Sequence, residues 1–231
     1  TNSTAGASNF DGSIQATVRA NPTAGFSIVT WDASANATVA HGLNATPQLV
    51  ITKSRNNSTA WRIWSAEFSD ADSNYLGFDT NAVSTFGGAY WGSMTSTTIG
   101  LSAASYDNNY GEMLAYCFAP VEGYSAMGSY IGNGSADGPF VFTGFRIRFL
   151  LYRRTDVGSN WYIMDTERDP DNVTTQRLLA ESTASEYTYS STDLLDVNSN
   201  GFKVRSSNNA INANVGTYLY YAASENPFKT A

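Results

Sequence analysis

The chain has 231 residues, and its 20 acidic and 13 basic side chains give a formal net charge of −7. This balance argues against a nucleic-acid partner, because binding to phosphates requires clustered Lys and Arg. No apolar run approaches the roughly 20 residues of a membrane span, and a single cysteine excludes both an intrachain disulfide and a Cys-rich metal site. We expect no membrane insertion and no cofactor.

The first elements in chain order predict β-structure. Residues 1–24 are small and polar, which indicates a linker or a strand exchanged with a neighbouring unit; since the sequence starts at Thr1, we expect a processed product or a piece of a longer protein. Residues 49–51 form a continuous apolar run, typical of a strand covered on both faces, and residues 75–79 also read as a strand. Residues 113–118 predict a strand in which Cys117 is a small buried hydrophobe.

The second half of the chain repeats this pattern. Residues 140–142 are apolar. Phe145, Ile147, Phe149 and Leu151 alternate with Arg146, Arg148 and Leu150, which is the period of a strand with one face in a core. Residues 174–183 have some helical character, but the corresponding segment of the first half reads as a strand, so a strand is favoured here too. Turn signals rich in Gly, Asn and Pro separate the runs, as in a sandwich or barrel.

An internal duplication organises these elements. Segments of the first half match segments of the second at a spacing near one hundred residues. Three matches carry the alignment: His41-Gly42-Leu43 with Thr143-Gly144-Phe145, Trp61-Arg62-Ile63-Trp64 with Trp161-Tyr162-Ile163-Met164, and Gly111-Glu112-Met113-Leu114 with Gly216-Thr217-Tyr218-Leu219. The spacing is too long for a solenoid repeat and fits two small β-domains.

The predicted fold is therefore all-β, with two tandem, related, jelly-roll-like β-sandwich units. Residues 25–121 form the first unit and residues 122–231 the second, with the boundary near Pro120. Trp31, Trp61 and Trp161 recur within the repeated strands, so we expect them in the cores.

The sequence offers little support for catalysis or metal binding. Its one histidine, His41, has no second His or Cys with which to form a metal site. Asp70, Asp72 and Asn74 have the alternating spacing of a calcium loop, but Tyr75 replaces the expected glycine, which makes them weak calcium candidates. A glycosidase needs two carboxylates across a cleft, and ten acids are candidates for this role: Glu67, Asp70, Asp72, Glu112, Asp165, Glu167, Asp169, Asp171, Glu181 and Glu186.

Aromatic side chains supply the remaining functional signal. Sugar rings stack on flat aromatic rings while their hydroxyl groups pair with Asn, Asp and Gln, and several aromatics here lie in turn-rich or polar stretches. The glycan-binding candidates are Tyr90, Trp91, Tyr106, Tyr110, Tyr187 and Tyr189. Packing in the core or at its rim is the alternative interpretation of each.

The chain also resembles a known family. Gly123-Tyr124-Ser125, the long run from Gly132 to Phe145, Asn160-Trp161-Tyr162 and the ending Ala223-Ser224-Glu225-Asn226-Pro227-Phe228 resemble a repeated β-domain in tail-fibre-like structural proteins of marine and cyanobacterial phages. The resemblance covers the chain from about Ile14 to the C-terminus. It departs from the usual pattern at residues 32–35, which lack the common glycines, and it implies no catalytic residues.

The resemblance implies a non-enzymatic protein on the virion surface, in an extracellular location, that forms a homo-oligomer within the virion, with a trimer favoured. The exposed-looking aromatics suggest that it attaches to a glycan of the host cell surface. The alternatives are a purely structural decoration or tail-assembly protein, a polysaccharide-degrading tailspike, and a bacterial surface adhesin or filament subunit.

Overall fold

The computed structural model describes residues 6–68, 74–85, 90–102, 110–188 and 194–227, and nearly all of its regular structure is β-strand, which confirms the predicted all-β class. The first half contains β1 (Ala7–Asn9), β2 (Ala16–Asn21), a 3-10 turn (Pro22–Ala24), β3 (Phe26–Asp32), β4 (Thr38–Ala40), β5 (Leu49–Ser54), β6 (Arg62–Ser65), β7 (Asn74–Gly77), β8 (Val83–Thr85), β9 (Thr98–Gly100) and β10 (Glu112–Phe118). The second half contains β11 (Ser125–Ile131), β12 (Phe140–Phe142), β13 (Ile147–Arg154), β14 (Tyr162–Asp165), β15 (Gln176–Leu179), β16 (Tyr187–Thr188), β17 (Leu195–Asn198), β18 (Gly201–Val204), the short helix α1 (Asn209–Asn212) and β19 (Thr217–Ser224).

Contacts between residues divide the chain into two compact units. The first contains residues 1–78 and 84–120, and the second contains residues 79–83 and 121–231. The main division thus falls between Pro120 and Val121, and the second unit also takes five residues from the first half of the chain.

The first unit is a β-sandwich. Its large sheet has the strand order β1-β2-β3-β10-β5-β6-β7-β8, and β4 and β9 form a small second sheet. Alternate side chains of both sheets point into one core, where Val29 and Ala115 of the large sheet join Val39 and Ile99 of the small one, all with no exposed surface. Two apolar faces bury each other in this way in a sandwich.

The second unit is built in the same way. Its large sheet has the order β11-β19-β13-β14-β15-β16, and its small sheet has the order β12-β18-β17. Tyr152 and Tyr218 of the large sheet share a core with Phe202 and Val204 of the small one, and none of the four is exposed.

The two units have the same strand order through their large sheets. Five neighbouring strands correspond: β3-β10-β5-β6-β7 in the first unit and β11-β19-β13-β14-β15 in the second. In each series the last strand of the unit lies between two earlier strands, and the series continues as a meander. The registers agree as well, since Phe78 N–H donates to Trp61 C=O and Ala180 N–H donates to Trp161 C=O.

One cation–π contact links the same strands in both units with its partners exchanged. The Arg62 guanidinium of β6 lies 4.6 Å from the centre of the Tyr75 ring on β7. In the second unit, the Arg177 guanidinium of β15 lies 4.2 Å from the centre of the Tyr162 ring on β14. The register equates Arg62 with Tyr162 and Tyr75 with Arg177, so the contact is retained while the side chains change places.

Individual predictions have different outcomes. Cys117, Trp31 and Trp161 are buried as expected and residues 176–179 form a strand, whereas Trp61 is only half-buried. The prediction of a linker or exchanged segment at residues 1–24 is wrong for its strands, because β2 pairs along its length with β3 of the same chain and β1 pairs with β2. Alternation explains this result: Ala16 and Val18 are buried, while the residues that follow each of them face solvent.

Candidate functional site

A recess of about 580 Å³ lies in the first unit. It is formed where the start of β2, the end of β3 and the start of β10 run side by side, together with Arg55 after β5. Its volume is within the roughly 300–1,000 Å³ of most small-ligand sites. We call it the groove.

The walls of the groove are mainly polar. Seven of its lining side chains carry hydrogen-bonding groups: Gln15, Thr17, Thr30, Asp32, Ser34, Arg55 and Glu112. The remaining walls are Ile14, Ala16, Trp31, Ala33 and Met113. Hydroxyl, amide, carboxylate and guanidinium groups are all present, so the groove can both donate to and accept from a ligand rich in hydroxyl groups.

Two carboxylates face each other across neighbouring strands of the groove. Asp32 of β3 is paired directly with Glu112 of β10, and directly opposite residues in antiparallel strands have Cα atoms about 4.5–5.5 Å apart. Arg55 Nη1 lies 3.4 Å from Glu112 Oε2, and both side chains are about half exposed, at 53% each. Such an exposed ion pair contributes little stability, roughly 0–1 kcal/mol, which leaves both groups available to a ligand.

Tyr110 is held close to the groove by a turn. It is 51% exposed and precedes Glu112 by two residues, so the two Cα atoms lie within about 7 Å. Ser54 Oγ donates to Tyr110 C=O at 2.7 Å, and Glu112 N–H donates to Asn56 Oδ1 at 3.0 Å. Gly111 has φ +73°, and an added Cβ there would lie 2.2 Å from Asn56 Oδ1, so this tight turn requires glycine.

The other sequence-predicted aromatics have different outcomes. The prediction that Tyr90 and Trp91 are partly exposed glycan contacts is wrong, because they are only 2% and 1% exposed and lie in the core of the first unit. Tyr106 and Tyr189 lie outside the described residues, and Tyr187 is described only as backbone in β16.

The weak calcium site stays untested as a whole. Asp70 and Asp72 lie outside the described residues, and Asn74 is the half-buried first residue of β7. Among the residues that the structure describes, no group of three or more His, Cys, Asp and Glu side chains could hold a metal ion. No helix in that part of the chain is long and apolar enough to cross a membrane.

The single histidine and the single cysteine have structural environments. His41 is fully buried; its Nδ1 accepts from Leu43 N–H at 3.2 Å, and its Nε2 lies 3.2 Å from Thr95 C=O, which fits the neutral ring with the proton on Nε2. Burial lowers the pKa of His41 more than the contact with Thr95 raises it. Burial raises the pKa of the Cys117 thiol to about 12, although a hydrogen bond with Ser27 acts in the opposite direction.

Sequence reasoning found part of the groove and missed the rest. The sequence predicts Glu112 as a candidate catalytic acid and Tyr110 as a candidate glycan contact, and no sequence motif singles out Asp32. Asp32 joins the groove because β3 pairs with β10, which brings it opposite Glu112.

Comparison with known proteins gives one match. A family model described as "Domain of unknown function (DUF7483)" matches residues 1–227. Neither the curated proteins nor the solved structures contain a match to the chain.

Proposed function

The chain belongs to the DUF7483 family, and we propose that it is a non-enzymatic attachment module of a phage virion surface protein. In this proposal it binds a saccharide of the host cell surface in the groove of the first unit. The resemblance to phage tail-fibre domains supports the virion location and a homo-oligomeric, trimeric assembly.

The composition of the groove is the observation that carries the proposal. Seven polar side chains of both charges converge on one recess of ligand size, and the exposed residue Tyr110 is two positions before Glu112. Polar side chains that converge on one recess fix the orientation of a small ligand. A saccharide offers many hydroxyl groups for the polar side chains and a C–H face for the ring.

The pairing of Asp32 with Glu112 supports the same conclusion. Like charges directly opposite each other on neighbouring strands destabilise a sheet. Hydroxyl groups of a bound saccharide would donate hydrogen bonds to both carboxylates, so the bound state recovers stability that the free state lacks. A site with this arrangement becomes more stable when its ligand binds. A purely structural role does not explain why two carboxylates lie opposite each other.

The internal duplication is part of the proposal. The common strand order and the exchanged Arg–Tyr contact support descent of both units from one ancestral sandwich. The second unit has no counterpart of the groove at the same place. One wall of the groove is β2, which lies beside β3. The strand that corresponds to β3 is β11, and among the described residues β11 is terminal in its sheet.

Glycan-array binding of the full chain tests the proposal. We expect Asp32→Ala and Arg55→Ala each to weaken binding about tenfold to a hundredfold, since a hydrogen bond to a charged group contributes roughly 1.5–3 kcal/mol. Arg148→Ala and Glu167→Ala are matched controls, because this ion pair of 2.7 Å is similarly exposed and lies in the second unit. Absence of binding to every glycan would contradict attachment through saccharides and leave the structural virion role.

A second candidate function follows from the same two acids. Asp32 and Glu112 line one groove, and a polysaccharide-degrading tailspike needs two carboxylates at a single cleft. Release of reducing ends from a bound polysaccharide, abolished in Glu112→Gln, would establish hydrolysis in place of simple attachment.

A further inference from the structure

A second exposed surface lies on the three-stranded sheet of the second unit. On the outward face of β12, Phe140 and Phe142 are 47% and 67% exposed, while Val141 between them is buried. Alternate residues of a strand share a face and lie about 6.8 Å apart, so the two rings are neighbours. We call this surface the aromatic platform.

Both rings lie against glycines. The Cζ atom of Phe140 is 3.1 Å from the point where a Cβ on Gly201 would be, and the Cε1 and Cζ atoms of Phe142 are 3.8 Å from the corresponding point on Gly144. Gly201 is required because an added Cβ would also lie 2.1 Å from Val141 C=O. Rings that pack over glycine backbone can lie along the sheet, which leaves a ring face toward solvent.

Polar side chains continue the platform across the sheet. The register places Phe140 beside Lys203 and then Asp196, and it places Phe142 beside Gly201 and then Asn198. Lys203 Nζ lies 2.7 Å from Asp137 Oδ1, and Arg205 Nε lies 3.5 Å from Asp196 Oδ2. The two cations are thus matched by two anions, and the platform suits an uncharged ligand.

The first unit shows that the fold itself does not require these phenylalanines. The hydrogen bonds at both ends of β4 and β12 equate Thr38 with Phe140 and Ala40 with Phe142. Residues 12–14 cover the edge of β4: Ser13 N–H donates to Thr38 Oγ1 at 2.9 Å, Thr38 N–H donates to Ser13 Oγ at 2.8 Å, and Ala40 is fully buried. Phe142, at the position that corresponds to Ala40, is two-thirds exposed.

The dimensions of the platform favour a small ligand over a protein. Three strands about 4.8 Å apart and two residue rows about 6.8 Å apart span roughly 10 by 7 Å. A stable protein interface buries about 800 Å² on each partner, far more than this patch provides. Aromatic faces next to amide and charged groups are suited to a ligand with apolar C–H faces and polar edges.

From these observations we propose that the platform is a binding site for an uncharged saccharide, in which Phe140 and Phe142 stack on sugar faces and Asn198 hydrogen-bonds a hydroxyl group. This site is independent of the groove in the first unit. It uses different residues, and it requires no carboxylate of Asp32 or Glu112.

Affinity electrophoresis of the full chain in gels containing a neutral glucan, galactan or mannan tests the site. We expect retardation by at least one of these polysaccharides, with the affinity reduced fivefold or more in Phe140→Ala and in Phe142→Ala. Phe142→Tyr retains the ring and should retain binding. Val157→Ala is the control, because Val157 is a 43% exposed apolar residue of the same unit, and thermal unfolding of each variant establishes that it is folded.

The outcomes separate this site from the groove. Binding that is lost in Phe140→Ala and unchanged in Asp32→Ala supports the platform, whatever the glycan array shows for the groove. Unchanged retardation in both phenylalanine variants, or none with any of the three polysaccharides, would overturn it. A mass that rises with concentration in wild type but not in Phe142→Ala would also overturn it, because an extended segment of a second copy would then be the occupant.

Discussion

Replacing Val215 with glycine should stabilise the second unit. Val215 has φ +61°, in the left-handed region, and it occupies the third position of a turn closed by Gly216 N–H donating to Ala213 C=O at 3.0 Å. This turn position requires positive φ and favours Gly or Asn. A β-branched residue is a poor fit there, because its Cβ crowds the backbone.

The magnitude follows from two opposing terms. The left-handed conformation costs an L-residue roughly 1–2 kcal/mol, which glycine does not pay. Glycine in turn makes the unfolded chain more flexible, at a cost of roughly 0.5–1 kcal/mol. Val215 is 71% exposed, so little apolar burial is lost, and the net expectation is a gain of about 0.5–1 kcal/mol.

Urea unfolding followed by circular dichroism measures this difference. Val215→Asn should give a smaller gain, because Asn tolerates positive φ better than Val does. Val157→Gly is the matched control: Val157 is also an exposed valine of the second unit but does not have positive φ, so glycine there should destabilise by roughly 0.5–1 kcal/mol. A less stable Val215→Gly variant, or equal gains at both positions, would refute the reasoning.

Three further predictions concern buried groups. Burial lowers the pKa of His41 in the folded protein, so below the ordinary pKa of 6.5 the unfolded chain binds a proton more readily than the folded one. The contribution of His41 to folding stability should therefore be complete above pH 6.5 and fall as the pH drops toward the pKa of the folded state. The free energies of unfolding in urea at pH 7 and pH 5 should differ less in His41→Asn than in wild type. Cys117, with its pKa raised to about 12, should react with a thiol reagent only when the protein unfolds, so rapid labelling under native conditions would contradict its buried placement. Arg153 is fully buried and donates to Thr80 C=O at 2.9 Å and to Ala82 C=O at 2.6 Å. Arg153→Met should therefore destabilise the second unit by about 2–4 kcal/mol in thermal unfolding and expose residues 79–83 to proteolysis. Unchanged stability would show that these carbonyl contacts contribute nothing.

The strands were predictable from sequence because burial in a sandwich imposes a local period. The alternation in the run at residues 113–118 follows from one face meeting the core. The short strand Gln176–Leu179 was predicted from its counterpart in the first half, where its own side chains were ambiguous. Strand partners were not predictable, because the pairing of β3 with β10 and of β11 with β19 depends on contacts far apart in the chain.

The exposure of aromatics could not be predicted from neighbouring glycines. Gly92 suggested an exposed turn for Tyr90 and Trp91. In the structure, an added Cβ on Gly100 would lie 2.5 Å from the carbonyl carbon of Gly92, so these glycines allow two backbones to approach closely while the adjacent rings pack inward. Phe140 and Phe142 had the same β-propensity as a core strand, and they are exposed because they lie on the outward face of β12.

The groove was beyond sequence reasoning for a related cause. Its acids belong to β3 and β10, which are distant in the chain and adjacent in the sheet. The wall supplied by Gln15 and Thr17 comes from a segment whose small polar residues resemble a linker until their pairing with β3 is known.

Equilibrium binding of the labelled chain to a panel of marine and cyanobacterial cells tests the central claim most directly, with each strain's own extracted polysaccharide as competitor. The account predicts saturable binding of the Phe140→Ala/Phe142→Ala chain, which lacks the platform rings, to at least one strain, displaced by that polysaccharide without its cleavage and lost when Asp32→Ala and Glu112→Ala are added. Binding that persists in this variant, or that the polysaccharide fails to displace, would contradict a saccharide site in the groove.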